Sequence, residues 1–311
     1  MNKTMTVETE MNNELIRQAY DCYLRIGTPS DALTTDTNVT GGYLLPADFE
    51  AKLLDAVSNT GVLRGLCTEI ATERDTFLPI VTGYGKPAWV TEGGALPLVR
   101  DQFERVSLVP HTLAATIRVT RELLKDSAVD IEKYLADTFA QRLTEAEEEA
   151  FITGDGVNKP TGLIQQVAVG CETQTVGTIT LDDVLNLIFS VPEQYRRNGV
   201  LLMNDATLLH LYRLCASQGT NLWFGKTNDG KDDTVFGMQI ARCAAMPDMA
   251  SGNVPILFGD FRQAFISDCG KRSMKRLKEL FALNDHIGFV IGERVDIRLI
   301  VRDAIKGLKV A

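Results

Sequence analysis

The chain has 311 residues, 45% of them apolar, which is enough for one large domain or two modest ones. Its formal net charge of −9 at pH 7 argues against a protein that coats nucleic acid, because such binding depends mainly on Lys and Arg side chains that neutralise phosphates. No apolar run reaches the length of a membrane span and the first residues lack a signal-peptide core, so the sequence predicts a soluble protein made in the cytosol.

The amino-terminal part of the chain offers few positions for a core. A short helical pattern runs from 13 to 26, and the polar stretch 28–42, rich in Thr, Asp, Asn and Gly, predicts an extended arm. The segment 48–57 predicts a short helix with Leu53 and Val57 turned inward. This part of the chain therefore needs another surface to lie against.

A long, twisted hairpin is predicted between 76 and 109. Its β-prone segments flank a middle in which 82–87 and 92–94 supply turn residues. A lone hairpin of this length is marginally stable in water and would expose Trp89 unless a partner covered it. The next segment, 113–120, alternates apolar and polar residues and predicts a half-buried strand.

Apolar residues then recur at intervals of three and four, which predicts a helix over 130–153. Its last turns carry Glu145, Glu147, Glu148 and Glu149, which could act as paired carboxylates in acid–base chemistry or form a solvated face. A solvated face is favoured, with a basic partner that offsets the poor placement of anions at the carboxyl end of a helix. The candidate basic residues are Lys271, Arg272, Lys275, Arg276 and Lys278.

A glycine-rich turn follows this helix, and its characteristic residues are Gly154, Asp155, Gly156, Pro160 and Gly162. A phosphate cradle would need a glycine-rich loop that opens a helix, so that free N–H groups point at the anion, whereas this loop closes one. Pro160 also occupies the place after the lysine, which departs from Walker spacing. The sequence therefore predicts a structural turn that ends the helix and redirects the chain.

Helix and strand patterns alternate beyond the turn. Thr180 and Asp183 have the spacing of a capping box, and 200–203 predicts a short buried strand. Either Asn204 or Asp205 can cap the helix that follows. The chain then ends in strands, as the alternation of apolar Val295, Ile297, Leu299 and Val301 with polar Asp296, Arg298 and Arg302 predicts.

No metal site, cofactor site or catalytic site is predicted. The stretch 228–233 is acidic like a calcium loop but lacks the alternating ligands and the closing Glu of that motif. The six cysteines show no CxxC spacing and the three histidines are isolated in sequence, which argues against zinc and against Ser-His or Cys-His chemistry.

In this order the segments resemble the tailed-bacteriophage major capsid protein family with the Hong Kong 97-like fold. The resemblance rests on Gly-Gly-Tyr-Leu-Leu-Pro at 41–46, the long helix that runs into the turn 154–162, Pro-Ile-Leu-Phe-Gly-Asp-Phe at 255–261, Phe-Ala-Leu-Asn-Asp at 281–285, and Gly-Glu-Arg-Val-Asp-Ile-Arg at 292–298. It implies an α+β fold and a shell subunit that is not an enzyme and binds no cofactor.

The resemblance also implies a division of the chain. The expected parts are a short helical segment at 1–33, an N-terminal arm at 34–62, an extended β-hairpin loop at 63–109, a peripheral domain at 110–177 and 269–299 with the spine helix 130–153, and an axial domain at 178–268 and 300–311. The axial domains would gather at five-fold and six-fold axes. Arm and hairpin, which have little to bury in a monomer, would be covered by neighbouring subunits.

The implied function is self-assembly, through pentamers and hexamers, into an icosahedral shell around the double-stranded DNA of a tailed phage or prophage. The implied partners are other copies of the chain, a portal protein, possible scaffolding, protease and decoration proteins, and DNA held by weak non-specific contacts, with no membrane. Assembly would take place in the bacterial cytoplasm and the product would be a virion. The candidate contacts between subunits are Trp89, Glu92, Arg100, Glu145, Glu148, Glu149, Lys271, Arg272, Lys275 and Arg276.

Two alternatives stay open. An encapsulin-like nanocompartment shell would share the fold while enclosing enzymes. A soluble hydrolase that uses a carboxylate pair is a more distant alternative and would require a concave site with perturbed carboxylates. Members of the family often begin with a longer scaffolding segment that a protease removes, whereas the predicted segment before the arm is short here. Three explanations of this difference stay open: a short retained segment, a separate scaffolding protein, or a gene product that already lacks the scaffolding domain.

Some members of the family join neighbouring subunits by a lysine–asparagine isopeptide bond whose lysine lies in the extended loop. In this chain no lysine lies between 87 and 124, so no such bond is expected, although Asn284 or Asp285 falls near the partner position. Shells boiled in denaturing detergent should therefore release a single band at monomer mass. A ladder of covalent multimers would contradict this expectation.

Overall fold

A computed structural model describes residues 43–44, 53, 57, 60–83, 102–125, 131–217, 224–226, 233–270, 272–277, 279–281 and 285–311. They divide into two compact units. Unit 1 comprises the described parts of Met1–Gly65, His111–Glu148 and Cys269–Val295, and unit 2 those of Leu66–Pro110, Glu149–Asp268 and Asp296–Ala311.

Strands and helices both contribute to the fold. The described strands are β1 (Tyr43–Leu44), β2 (Thr68–Thr72), β3 (Thr76–Gly83), β4 (Gln102–Leu108), β5 (His111–Thr120), β6 (Ala168–Glu172), β7 (Val200–Met203), β8 (Phe224–Lys226), β9 (Asp233–Val235), β10 (Met238–Arg242), β11 (Ile256–Gly259), β12 (Ala264–Cys269), β13 (Ser273–Leu277), β14 (His286–Leu299) and β15 (Ile305–Lys309). The described helices are α1 (Val62–Leu66), α2 (Arg121–Lys125), α3 (Ile131–Thr153), α4 (Leu163–Gln166), α5 (Leu181–Ser190), α6 (Glu193–Arg196) and α7 (Asp205–Ser217). None of these helices is both long and apolar enough to cross a lipid bilayer.

In unit 1, helix α3 packs on an antiparallel sheet with the order β1-β13-β14-β5. Strand β14 pairs with β5 from His286 opposite Thr120 to Val295 opposite His111. Ile131, Leu135, Phe139 and Leu143 recur every fourth residue on one helix face and are fully buried. They share a core with residues of the sheet, including Ile117, Phe289 and Ile291. Burial of this apolar surface is the main source of stability for the unit.

In unit 2, the described strands form a sheet of order β6-β15-β11-β7-β10-β9-β8. Its middle strands β7 and β11 are buried along their whole length, and α5 and α7 contribute to the same apolar core. The last residues of β14 also belong to unit 2, where the strand order continues β14-β12-β2. Continuous apolar runs such as Val200–Met203 fit strands covered on both faces.

Several local predictions are confirmed. Thr180 caps helix α5: its hydroxyl accepts from the Asp183 N–H at 3.3 Å, and the Asp183 carboxylate accepts from the Thr180 N–H at 2.9 Å. Of the two candidate caps for α7, Asn204 is the one used, since its Oδ1 accepts from the Thr207 N–H at 2.8 Å. The burial of β5 alternates as predicted for 113–120.

The base of the predicted hairpin is a two-stranded ribbon of β3 and β4, paired from Thr76 opposite Leu108 to Gly83 opposite Gln102. The hairpin tip, 84–101, lies outside the described residues, as do the predicted helix 13–26 and most of the predicted arm 34–62. The ribbon groups with unit 2, and the division between units falls inside α3. The four-part plan of arm, loop, peripheral and axial domains stays a prediction.

One prediction about β14 is wrong. Alternation over 295–301 placed Asp296 on the polar face of the strand, but its side chain is fully buried. The reason is a hydrogen bond within unit 2: the Val109 N–H, just after β4, donates to Asp296 Oδ2 at 2.9 Å. Because a buried carboxylate is tolerated when backbone N–H groups bind it, Asp296 fixes the end of the ribbon to β14.

The turn 154–162 closes helix α3 through backbone contacts. The Gly154 N–H donates to the Ala150 carbonyl at 2.9 Å, and the Gly162 N–H donates to the Gly154 carbonyl at 2.9 Å. Asp155 Oδ1 accepts from the Val157 N–H at 3.0 Å, and Gly156 takes a left-handed conformation with φ of 78°. Backbone atoms of the turn and of the end of α3 lie so close to Gly154 and Gly162 that neither position has room for a side chain.

Replacing Gly162 with Ala should destabilise the fold by about 3 kcal/mol. A Cβ there would lie 2.4 Å from the Ile152 carbonyl oxygen and 2.6 Å from the Gly154 nitrogen, so backbone would have to move. Gly65→Ala is the matched control, because a Cβ at Gly65 meets nothing within 4 Å. Denaturant unfolding of the unassembled subunit measures both, and equal midpoints would contradict the expectation.

Candidate functional site

A cluster of four buried charged side chains lies in unit 1. Arg64 and Glu147, 6% and 1% exposed, form its first pair. The guanidinium of Arg64 donates from Nε to Glu147 Oε2 at 2.8 Å and from Nη2 to Glu147 Oε1 at 2.6 Å. This two-pronged geometry is the strongest that an Arg–carboxylate pair can adopt. It joins the short helix α1 to the long helix α3.

Arg272 and Glu293, 6% and 4% exposed, form the second pair of the cluster. Arg272 Nε donates to Glu293 Oε2 at 2.7 Å. The pair joins the residue just before β13 to strand β14. The Glu147 carboxyl lies near enough to Glu293 to raise its pKa, so the two pairs meet through their acids.

Local periodicity explains why these acids are buried. Glu147 continues the row of residues that recur every fourth position on the buried face of α3, after Leu143 and before Phe151. Glu293 alternates in the same way with the buried residues Ile291 and Val295 of β14. Each acid therefore occupies a position that the backbone directs into the interior.

The surroundings of Glu293 raise the pKa of its carboxyl from 4.5 to about 8. Burial is the largest cause, because the charged form loses its hydration. The neighbouring Glu147 adds to the rise, through its charge and its hydrogen bond, while Arg272 opposes it. The balance favours a neutral Glu293 at physiological pH.

The cluster corrects the prediction of a solvated acidic face on 145–149. Glu147 is buried and bound within the subunit. Glu148 is half-buried, and its Oε1 accepts from the Val62 N–H at 2.6 Å. Glu145 and Glu149 are exposed as predicted, and Glu145 accepts from Gln141 Nε2 at 3.0 Å.

The residues predicted as the basic partner of this face also differ in burial. Arg272 is buried and its charge is already paired with Glu293 inside the subunit, and its role in a contact between subunits stays a prediction. Lys275 is exposed and Arg276 is half-buried, so both stay candidates for contacts between subunits. The remaining candidates Trp89, Glu92, Arg100 and Lys271 lie outside the described residues.

Glu293 is not among the residues predicted from the sequence, and Glu147 lies in the interior and not on the predicted solvated face. The available signal was a charged residue at a position that the helix or strand period assigns to the core. The pattern identifies each acid as buried, but it does not identify Arg64 or Arg272 as the partners. Those partners come from segments far apart in the chain.

One outward face of the β3–β4 ribbon exposes two aromatic side chains, and Arg105 and Ser107 lie on the same face. Phe77 and Phe103 are 64% and 71% exposed, and Val109 is exposed beside them. The register places Phe77 opposite Ser107 and Val81 opposite Phe103, so both aromatic rings belong to the same face. The opposite face holds Ile80 and Leu108, which are buried.

A polar cavity of about 430 Å³ lies beside the ribbon in unit 2. Its charged lining residues are Glu104, Arg105, Arg298 and Arg302. Arg298 Nε lies 3.4 Å from the buried Asp296 Oδ2. Because guanidinium groups bind carboxylates and phosphates, the arginines that line this cavity suit contact with groups of that kind.

The family model described as the phage capsid family matches residues 41–310. The chain belongs to the phage capsid family. The capsid polyprotein of Pseudomonas phage PAJU2 is 28% identical over 183 residues, which cover 57% of this chain and 27% of that protein. The chain spans about a quarter of the length of the curated relatives that it matches.

Solved capsid structures share the fold. The capsid of an empty GTA particle is 28% identical with a TM-score of 0.69, covering 81% of this chain and 90% of that chain. The SrpI encapsulin of Synechococcus elongatus PCC 7942 is 13% identical with a TM-score of 0.58, covering 91% of this chain and 92% of that chain, and shows likeness of fold alone. The predicted α+β, Hong Kong 97-like capsid fold is thereby confirmed.

In this capsid-family chain, replacing Arg64 with Ala should destabilise the subunit by about 3–5 kcal/mol, because Glu147 would stay buried without its partner. Arg64→Lys should recover only part of the loss, since an ammonium cannot make both hydrogen bonds in the plane of the carboxylate. Arg213→Ala, at an exposed arginine on α7, is the control and should change stability by about 0.5 kcal/mol or less. Denaturant titration followed by circular dichroism provides the measurement, and an Arg64→Ala midpoint equal to that of the control would disprove the assignment.

Proposed function

We propose that this chain is a major capsid protein that assembles with copies of itself into an icosahedral shell around the double-stranded DNA of a tailed phage or prophage. The observation that carries the proposal is the match to the phage capsid family over 41–310. The outward face of the ribbon supports it, because exposed aromatic residues on a two-stranded ribbon are typical of a surface that a partner covers.

The proposed contacts between subunits use the surfaces that the subunit leaves exposed. The aromatic face of the ribbon, with Phe77 and Phe103, supplies an apolar contact. Trp89, Glu92 and Arg100, which the sequence assigns to the predicted hairpin, are proposed to extend this contact. Glu145 and Glu149 on one side and Lys275 on the other would add charged contacts at the rim, where ion pairs contribute orientation more than affinity.

The further partners follow from the same proposal. Pentamers and hexamers of this chain would build the shell, and a portal protein, scaffolding, protease and decoration proteins would act with it in the cytoplasm of the bacterial host. DNA would be enclosed by weak non-specific contacts, as fits a chain with a net charge of −9.

An encapsulin-like compartment is the second candidate function, because an encapsulin shares the fold. The content of the particles separates the two: a shell that holds DNA supports the capsid, and a shell that holds an enzyme supports the compartment. The hydrolase alternative is disfavoured by the location of Glu293, whose pKa is raised, and of the neighbouring carboxyl of Glu147. Glu147 and Glu293 are 1% and 4% exposed, so a substrate cannot reach them.

Size-exclusion chromatography and electron microscopy of the purified full chain test the proposal. Closed shells of megadalton mass with nuclease-protected double-stranded DNA are the expected result when the chain is produced with its neighbouring phage genes. A small oligomer under the same conditions would reject a shell protein of either kind.

Replacing Phe103 with Asp should abolish most shell formation while the subunit stays folded. The ring is exposed in the subunit, so its loss costs little stability, whereas a carboxylate buried in an apolar contact costs roughly 2 kcal/mol or more per interface. Phe103→Tyr keeps an aromatic ring and is the matched control. Particle yield by sedimentation and folding by circular dichroism are measured together, and normal yield from Phe103→Asp would exclude the ribbon face from the contact.

A further inference from the structure

Shell assembly does not explain the buried acid pair of unit 1. Both carboxylate oxygens of Glu147 accept a hydrogen bond from Arg64. Glu293 accepts one hydrogen bond, from Arg272 Nε, on its Oε2. Glu293 Oε1 is buried and accepts no hydrogen bond from an N–H or O–H of the described chain. A buried acceptor left in this state costs free energy, so an additional proton at this oxygen is favoured.

A hydrogen bond between two carboxyl groups requires a proton on one of them. Both oxygens of Glu147 already accept from the Arg64 guanidinium, whereas Glu293 Oε1 accepts from no N–H or O–H of the described residues, so the proton belongs on Glu293 Oε1 and is donated to Glu147. The shift of the Glu293 pKa to about 8 agrees with this assignment. The charged groups that face the pair are Arg64 from α1 and Arg272 from the segment before β13, and Glu148 lies next in α3 and binds the Val62 N–H.

We propose that Glu147 and Glu293 share a single proton, and that this proton closes helix α1 onto α3 and β14 in a pH-dependent manner. The device is a latch: Arg64 on α1 binds Glu147, and Glu147 accepts the proton held by Glu293. Helix α1 has only five residues, so it is too short to be stable without these contacts. Opening of α1 would admit water and return Glu293 toward its ordinary acidity.

The sign of the pH dependence follows from proton counting. Below pH 4.5 Glu293 holds its proton in both the closed and the open state, and the latch is at full strength. Between pH 4.5 and about 8 the closed state keeps the proton while the open state loses it, so opening becomes more favourable as the pH rises. Above about 8 both states are ionised and the dependence levels off.

Hydrogen exchange measured by mass spectrometry on the full chain, with rates corrected for intrinsic chemical exchange, tests the latch. The opening constant of amides in Val62–Leu66 should rise toward tenfold per pH unit between pH 5 and 8 and then flatten, the limit for one linked proton. Glu293→Gln should remove this slope, because its amide can donate to Glu147 and accept from Arg272 without ionising. Glu145→Gln, at an exposed carboxylate two residues before Glu147, should keep the wild-type slope.

The wild-type titration decides the matter even if a variant fails to fold. A change of less than about twofold in the wild-type opening constant over pH 5–8 would overturn the proposal. So would a Glu293→Gln protein that keeps the wild-type slope. Neither result depends on whether the chain forms shells, because local opening is measured on the subunit itself.

Discussion

The packing of unit 1 depends on a pair of buried acids held between two arginines. Removing three ions and the Glu293 carboxyl from water costs several kcal/mol for each ion, and the cost is offset only when each group finds a well-placed partner. Arg64, Glu147, Arg272 and Glu293 satisfy this condition by joining segments that are distant in the chain. Apolar contacts alone would tolerate a small slide of the helix over the sheet, but a buried hydrogen-bonded cluster does not.

This requirement fixes the register of the elements around it. A shift of β14 by one residue would turn Glu293 to the other face of the sheet and bring a neighbour into the cluster. A rotation of α3 by one residue would likewise carry Glu147 away from Arg64. The turn 154–162, which begins two helical turns after Glu147, fixes where α3 ends through backbone contacts that exclude side chains at Gly154 and Gly162. The helix is therefore constrained by polar contacts near its end and by apolar ones along its length.

The sequence predicts those features whose determinants are close together in the chain. The capping box of Thr180 and Asp183, the alternation of β5 and the helix 131–153 all depend on neighbours within one element. The periodicity of a single helix or strand does not identify a hydrogen-bond partner that comes from a distant segment. Asp296 was assigned to a polar face because alternation cannot show that the Val109 N–H would bind it, and Glu147 was assigned to solvent because a run of glutamates outweighed its place in the row of Leu143 and Phe151.

The division of polar groups between interior and surface limits how copies of the chain can associate. Arg272 and Glu148, which the sequence offered as contacts, are occupied inside the subunit, so pairing either with a neighbour would first leave its present partner unsatisfied. Exposed features carry no such cost: the aromatic face of the ribbon is already in water, and covering it gains the hydrophobic term directly. An association that used the ribbon face would therefore not require the buried cluster to rearrange, because the cluster sets the internal geometry of the subunit and the ribbon face makes none of its contacts.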